Sequence, residues 1–251
     1  MLREVWKGMR TTLLLWATSL AAGLAGATPA VAQAPAAAPD SAAWVAAATS
    51  YQAALGTESL LYDGQEYVDY TTPGTVGHQF FLSPEEQPGT VAYRGGTFAG
   101  VPLRYDLAHD QVVIRLPGQA AAMALVSDKV EAFALAGHRF VRVAGDSLLP
   151  TGFYEVLAEG PLRLLARHRK QSERAMVSQN LVQQYKQSDE LLLRTPTAAG
   201  EVSSLKKLAA QLPDHREEAL SYARQQHLSF AAADRAASAA RLLRYYYTLR
   251  P

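Results

Sequence analysis

From Glu58 to about Arg194 the chain is a series of short β-prone runs, each broken after a few residues by turn-forming residues. Strands are expected at 60–62, 66–70, 90–93, 97–105, 111–116, 122–126, 131–135, 138–143, 153–158, 162–169 and 189–194, where β-branched, aromatic and aliphatic residues alternate with polar ones. The links contain Asp63-Gly64, Arg94-Gly95-Gly96, Pro117-Gly118, Ala136-Gly137 and Glu159-Gly160, and most are two to six residues long. Parallel neighbours need crossovers of about a dozen residues, so links this short imply an antiparallel meander. A twisted sheet of so many strands curls or closes. The expected architecture is α+β: an antiparallel β-meander forming a curved sheet or half-barrel, with a C-terminal helical segment and a short N-terminal helix.

The polar stretch 171–188 reads as a surface excursion with a helical turn around 176–185. After Ser203 the period becomes helical. Leu205, Leu208 and Leu212 make one stripe, Asp214 and Glu217 have capping-box spacing, and Ala233, Ala236, Ala237, Ala240, Leu243 and Tyr247 line one side of a last helix. Trp44, Ala48, Tyr51 and Leu55 recur at helical spacing ahead of Gly56, which gives the N-terminal helix.

The first 32 residues read as an export signal. Arg3, Lys7 and Arg10 precede a largely apolar run, and Ala30-Val31-Ala32 offers the small-x-small site of a signal peptidase. The expected domains are a signal peptide at 1–32, an Ala/Pro tether at 33–40, a short helix plus antiparallel β domain at 41–200, and helices packed on it at 201–251. Cleavage near Ala32 leaves a periplasmic or extracellular protein of about 219 residues. Later runs are too short to span a bilayer.

Cleavage also changes the charge. The chain holds 24 basic and 23 acidic residues; the signal removes three basic and one acidic, leaving 21 against 22, a formal −1. A near-neutral domain has no global field to attract nucleic acid. With no cysteine there is no lipid-modified N-terminal thiol, no thiol catalysis and no Cys-based metal site.

No nucleophile elbow or phosphate-binding glycine loop occurs, and Ser147 in Gly145-Asp146-Ser147 reads as turn chemistry. The six histidines lack metal-ligand spacing; Asp106, His109 and Asp110 come nearest and read as a solvated hairpin turn. No cofactor, metal or catalytic residue is expected. Two basic clusters remain as an interaction surface. Arg163, Arg167 and Arg169 share one face of a strand, with His168 and Lys170 on the other, while Arg241, Arg244 and Arg250 interleave with Tyr245-Tyr246-Tyr247.

Tyr62-Asp63-Gly64-x-x-Tyr67, Gly77-His78-x-Phe80-Phe81, Val101-Pro102-Leu103-x-Tyr105-Asp106, Thr151-Gly152-Phe153-Tyr154 and Leu164-Leu165-Ala166-Arg167 resemble segments of a group of exported proteins of Bacteroidetes-type bacteria. With the C-terminal pair of helices the likeness runs from Tyr62 to Tyr247. It implies a shared fold and export, and brings no catalytic residues. The expected function is that of an exported, non-catalytic protein that binds a protein or other component of the cell envelope. The alternatives are a carrier holding a lipid or apolar molecule in the half-barrel, and a hydrolase whose site is assembled from distant residues. A concave face filled by Phe133, Phe140, Leu164 and the helices argues against the carrier; a cleft that gathers a histidine with a serine or carboxylate favours the hydrolase.

Overall fold

The two-residue period of the β runs produces one sheet with two unlike faces. The structure, a computed structural model, describes residues 60–249 apart from 70, 117, 119, 120, 178 and 179, together with 47 and 50. The expected signal, the tether and, but for residues 47 and 50, the N-terminal helix lie outside the described residues. The strands are β1 (Gln65–Glu66), β2 (Gln87–Tyr93), β3 (Gly96–Asp106), β4 (Gln111–Arg115), β5 (Ala122–Ala124), β6 (Val130–Leu135), β7 (His138–Val143), β8 (Gly152–Ala158), β9 (Arg163–Val177), β10 (Asn180–Arg194) and β11 (Ala199–Glu201). All pair antiparallel in a curved, unclosed sheet of order β1-β5-β4-β3-β2-β6-β7-β8-β9-β10-β11.

The order is not a plain meander. Strands β2 to β5 run outward as successive hairpins, and then β6 returns to the other edge of β2, with Phe133 opposite Val91. A 3₁₀ turn at Ser127–Lys129 redirects the chain after β5. Tight turns behave as their residues predict: Arg94 and Gly95, both at positive φ (51° and 76°), close the β2–β3 hairpin in the geometry that matches strand twist. At the start of β8, Gly152 has φ 154°, which L side chains rarely adopt, and a side chain there would also crowd an Asp110 carboxylate oxygen at 2.7 Å.

Two expectations are corrected. Residues 60–62 form a 3₁₀ turn, not a strand, because Leu61 turns into the core while Leu60 stays exposed; β1 is only two residues and pairs with β5. The stretch 171–188 contains no helical turn. It continues β9 and β10 as a two-stranded arm in which Met176 faces Leu181 and Ala175 faces Val182. The arm's outer edge is bridged where Val76 donates to the Gln183 carbonyl and accepts from the Tyr185 amide, which satisfies backbone groups a helix would have to pair internally.

The inner face carries two apolar clusters. In the first, Phe81, Tyr105, Phe133, Phe140 and Phe153 pack ring against ring; Phe133 and Phe140 stack at 4.6 Å, and Phe81 meets Phe140 edge-on at 5.1 Å. In the second, Leu164, Ala166, Leu191 and Leu193 are covered by helices α1 (Leu205–Ala210), α2 (Arg216–Gln225) and α3 (Arg235–Thr248). The α3 face that packs is Ala239, Leu242, Leu243 and Tyr246, offset from the expected stripe, since Ala233 and Ala237 are exposed. No helix among the described residues is long and apolar enough to cross a membrane.

Helix α1 begins at Ser204, whose hydroxyl accepts from the Lys207 amide at 3.1 Å. In a six-residue helix that cap is a large part of the local stability. Ser204→Ala is expected to lower the urea midpoint by the equivalent of about 1 kcal/mol. An unchanged midpoint would show that packing of Leu208 alone holds α1. The expected capping box at Asp214 does not form. His215 is the N-cap residue, in left-handed conformation, and Asp214 instead accepts from the Tyr246 hydroxyl at 2.6 Å, tying α3 to the α1–α2 link.

Candidate functional site

Inward positions on four neighbouring strands carry ionisable side chains where the two apolar clusters meet. His138 on β7, Glu155 on β8, His168 on β9 and Asp189 on β10 follow one another across the sheet, and Arg235 at the start of α3 continues the row. Glu155 Oε1 lies 2.6 Å from His138 Nδ1, and Glu155 Oε2 lies 2.8 Å from His168 Nε2. On the other side His168 Nδ1 is 2.7 Å from Asp189 Oδ1, which also accepts from the Gln187 amide. Arg235 donates to the Asp189 backbone carbonyl at 2.8 Å, and its guanidinium is 3.5 Å from the carboxylate.

Burial by itself disfavours a charged ring at His168, but the hydrogen bonds and charges of Asp189 and Glu155 outweigh it and raise its pKa to about 9. Burial likewise opposes ionisation of Glu155 and Asp189, and their histidine partners more than offset it, so both carboxyls sit below the usual carboxylate range. His168 is therefore an imidazolium with both nitrogens engaged. It holds its proton at neutral pH and is unsuited to general-base work, which needs a base near the operating pH. The row is a charge-balanced tie between sheet and helix.

The tie also holds a strap. Phe81 lies against His138 and His168 at 5.1 and 5.2 Å, and the Lys170 ammonium donates to the carbonyls of His78 and Phe80 at 2.9 and 2.7 Å. Burial lowers the pKa of Lys170, with Asp189 opposing. Residues 78–81 are so pinned across the inner face.

Asp106, His109 and Asp110 are a turn, as expected, solvated at Ala108 and His109 but not at its first carboxylate. Asp106 is fully buried; it accepts from the amides of Ala108 and His109, from the Tyr67 hydroxyl at 2.8 Å, and it pairs with His109 Nδ1 at 2.8 Å. Asp110 accepts from the Tyr105 hydroxyl at 2.7 Å and the Phe153 amide at 3.3 Å. These carboxylates fix strand ends from inside.

Five of the arginines named from the sequence fall on two sides; Arg250 lies outside the described residues. Arg163, Arg167 and Arg169 share the outer face of β9, opposite Arg194, Glu190 and Ser188 of β10. Arg163 is 3.4 Å from Glu159, Arg167 lies over the Tyr154 ring and donates to the Thr151 carbonyl, and Arg169 is exposed and makes no ion pair among the described residues. Beside them is a cleft of about 250 Å³ lined by Val141, Val143, Leu149 and Leu165 and edged by Arg163 and Arg194, the latter bound to Asp146 at 3.0 Å. Arg241 and Arg244 sit on α3, which packs on the inner face. They bond Gln226 and the Leu157 carbonyl, so they do not join the β9 row. Of the three tyrosines that follow them, Tyr246 is buried and Tyr247 donates to the Leu162 carbonyl.

The His138–Arg235 row was invisible as a motif because its members lie 13 to 46 residues apart in sequence. One signal was present: His168 has the same strand parity as Leu164 and Ala166, so alternation already turned it inward. No protein-family model, no curated protein and no solved structure matches this chain.

Proposed function

We propose that this is an exported protein of the cell envelope that acts by binding an acidic partner, without catalysis, through the outer sheet face around Arg163, Arg167 and Arg169. The observation that carries this reading is the contrast between the two faces. The His168, Glu155 and Asp189 charges of the inner face are paired with one another, whereas Arg167 and Arg169 make no ion pair among the described residues and stand, with the Glu159-paired Arg163, on a helix-free face beside an apolar cleft. Arginine around an apolar centre is the composition of protein-binding hot spots. Export rests on the charged, apolar and small-residue order of the first 32 residues.

The half-barrel carrier is the weaker reading, because Phe133, Phe140 and Leu164 are buried against the strap and helices and fill the inner face. The hydrolase reading has histidines beside carboxylates: His168 has both ring nitrogens bound, while His138 and His109 meet Glu155 and Asp106 through Nδ1. The test is retention of an envelope protein on immobilised protein, followed by affinity measurement with the purified partner. Arg163→Glu with Arg169→Glu is expected to weaken binding at least tenfold and to flatten its dependence on salt. Equal affinity in the variant, or substrate turnover abolished by a single polar substitution, sinks the proposal.

A further inference from the structure

The helical cap has a second apolar concavity, unrelated to the arginine face. It lies between α1 and α2, has a volume of about 710 Å³, and is lined by Leu205, Lys206, Leu220, Ala223, Arg224, His227, Leu228 and Ser229. Its far wall comes from the way α2 ends. His227 takes the left-handed conformation (φ 49°) and the Leu228 amide bonds back to the Ala223 carbonyl at 2.9 Å, which folds Leu228 against the helix. The floor is aliphatic: Leu205, Leu220, Ala223 and Leu228, with no aromatic ring. The volume is within the range of roughly 300–1,000 Å³ that small-molecule sites occupy.

The rim is one-sided in charge. Lys206 and Arg224 are exposed, His227 stands beside them, and no carboxylate is among the lining residues. None of the three makes an ion pair among the described residues. An occupant that suits both parts needs an alkyl body for the floor and an anionic head for the rim. A guanidinium can hold a carboxylate by two parallel bonds, with an ammonium adding charge next to it. A docked peptide strand fits less well, because an aliphatic floor gives its amides no partners.

We infer that the groove between α1 and α2 binds a long-chain fatty acid, with its chain on Leu205, Leu220, Ala223 and Leu228 and its carboxylate on Lys206 and Arg224. The site is separate from the outer sheet face and stands or falls apart from it.

The test is calorimetric titration of the purified protein with dodecanoate below its micelle concentration, alongside acetate and dodecyltrimethylammonium. Dodecanoate is expected to saturate at one per chain. Acetate, which has the head without the chain, and dodecyltrimethylammonium, which has the chain with the opposite head, are expected to bind at least tenfold more weakly. Lys206→Glu with Arg224→Glu, both exposed positions, should cost dodecanoate at least tenfold with an unchanged circular dichroism spectrum. Arg163→Glu with Arg169→Glu should cost it nothing. Absence of dodecanoate binding, equal binding of the cationic amphiphile, or wild-type affinity in the Lys206/Arg224 variant overturns the assignment.

Discussion

Glu155→Ala is expected to cost about 3–5 kcal/mol of folding stability, the range found when one partner of a buried ion pair is removed. Glu155 accepts from two histidines on the strands to either side, and its side chain is 9% exposed. Its loss leaves the His168 imidazolium with one carboxylate instead of two, and leaves His138 with no partner at that nitrogen. For a domain of this size the melting temperature should fall by about 10 °C, given roughly 2–4 °C per kcal/mol. The effect should be strongly non-additive: Glu155→Leu combined with His168→Leu removes both charges and is expected to be less damaging than Glu155→Ala alone. A loss below about 1 kcal/mol for Glu155→Ala, read from urea unfolding, would mean that water reaches the row and screens it.

The second large effect is on the alkaline side. His168 has a folded-state pKa of about 9 against about 6.5 in the unfolded chain, which corresponds to about 3 kcal/mol of stability linked to its proton. Below pH 6.5 both states are protonated and the contribution is complete. Between pH 6.5 and 9 the folded protein keeps a proton that the unfolded chain has released, so stability falls as pH rises, and above 9 the contribution is gone. Glu155 and Asp189 act in the opposite direction, since their depressed pKa values give stability that is present above the usual carboxylate range and lost on acidification. Urea midpoints at pH 6 and pH 9.5 should differ markedly for the wild type and much less for His168→Gln. Parallel pH curves for the two proteins would refute the link.

Both expectations concern a site that sequence reasoning passed over, and the reason is geometric. Within a strand, alternation tells which residues share a face, and it separated Arg163, Arg167 and Arg169 from His168 and Lys170 correctly. What lies beside a residue on the next strand depends on register, and a one-residue slip would turn Glu155 or Asp189 outward. Register here is set by the bulge between Val156 and Ala158 and by the long pairing of β9 with β10. Neither can be read from composition or spacing. The arm at 171–188 failed for a related reason. Its polar residues gave no apolar period, so only the partner strand and the bridge at Val76 reveal that it is β structure.

The helices show the same division. Leu205, Leu208 and Leu212 were recognisable as a packing stripe because helical period is local. The N-cap of α2 was not, because Asp214 had a better partner in Tyr246, 32 residues away. Likewise the β6 return to β2 follows no local signal. It extends the sheet from a strand already paired on its other side and brings Phe133 next to Phe140, where the aromatic cluster closes.

The sequence by itself determined the antiparallel class, most strand positions, the helical C-terminal segment and the arginine row of β9, since each depends on residues within one turn or one strand of each other. Tertiary structure alone decided the strand order, the His138–Glu155–His168–Asp189–Arg235 tie, the division of the five arginines between two faces and the groove between α1 and α2. Those features arise from contacts between segments tens of residues apart, whose free energy is realised only when register and packing bring them within hydrogen-bond or van der Waals distance.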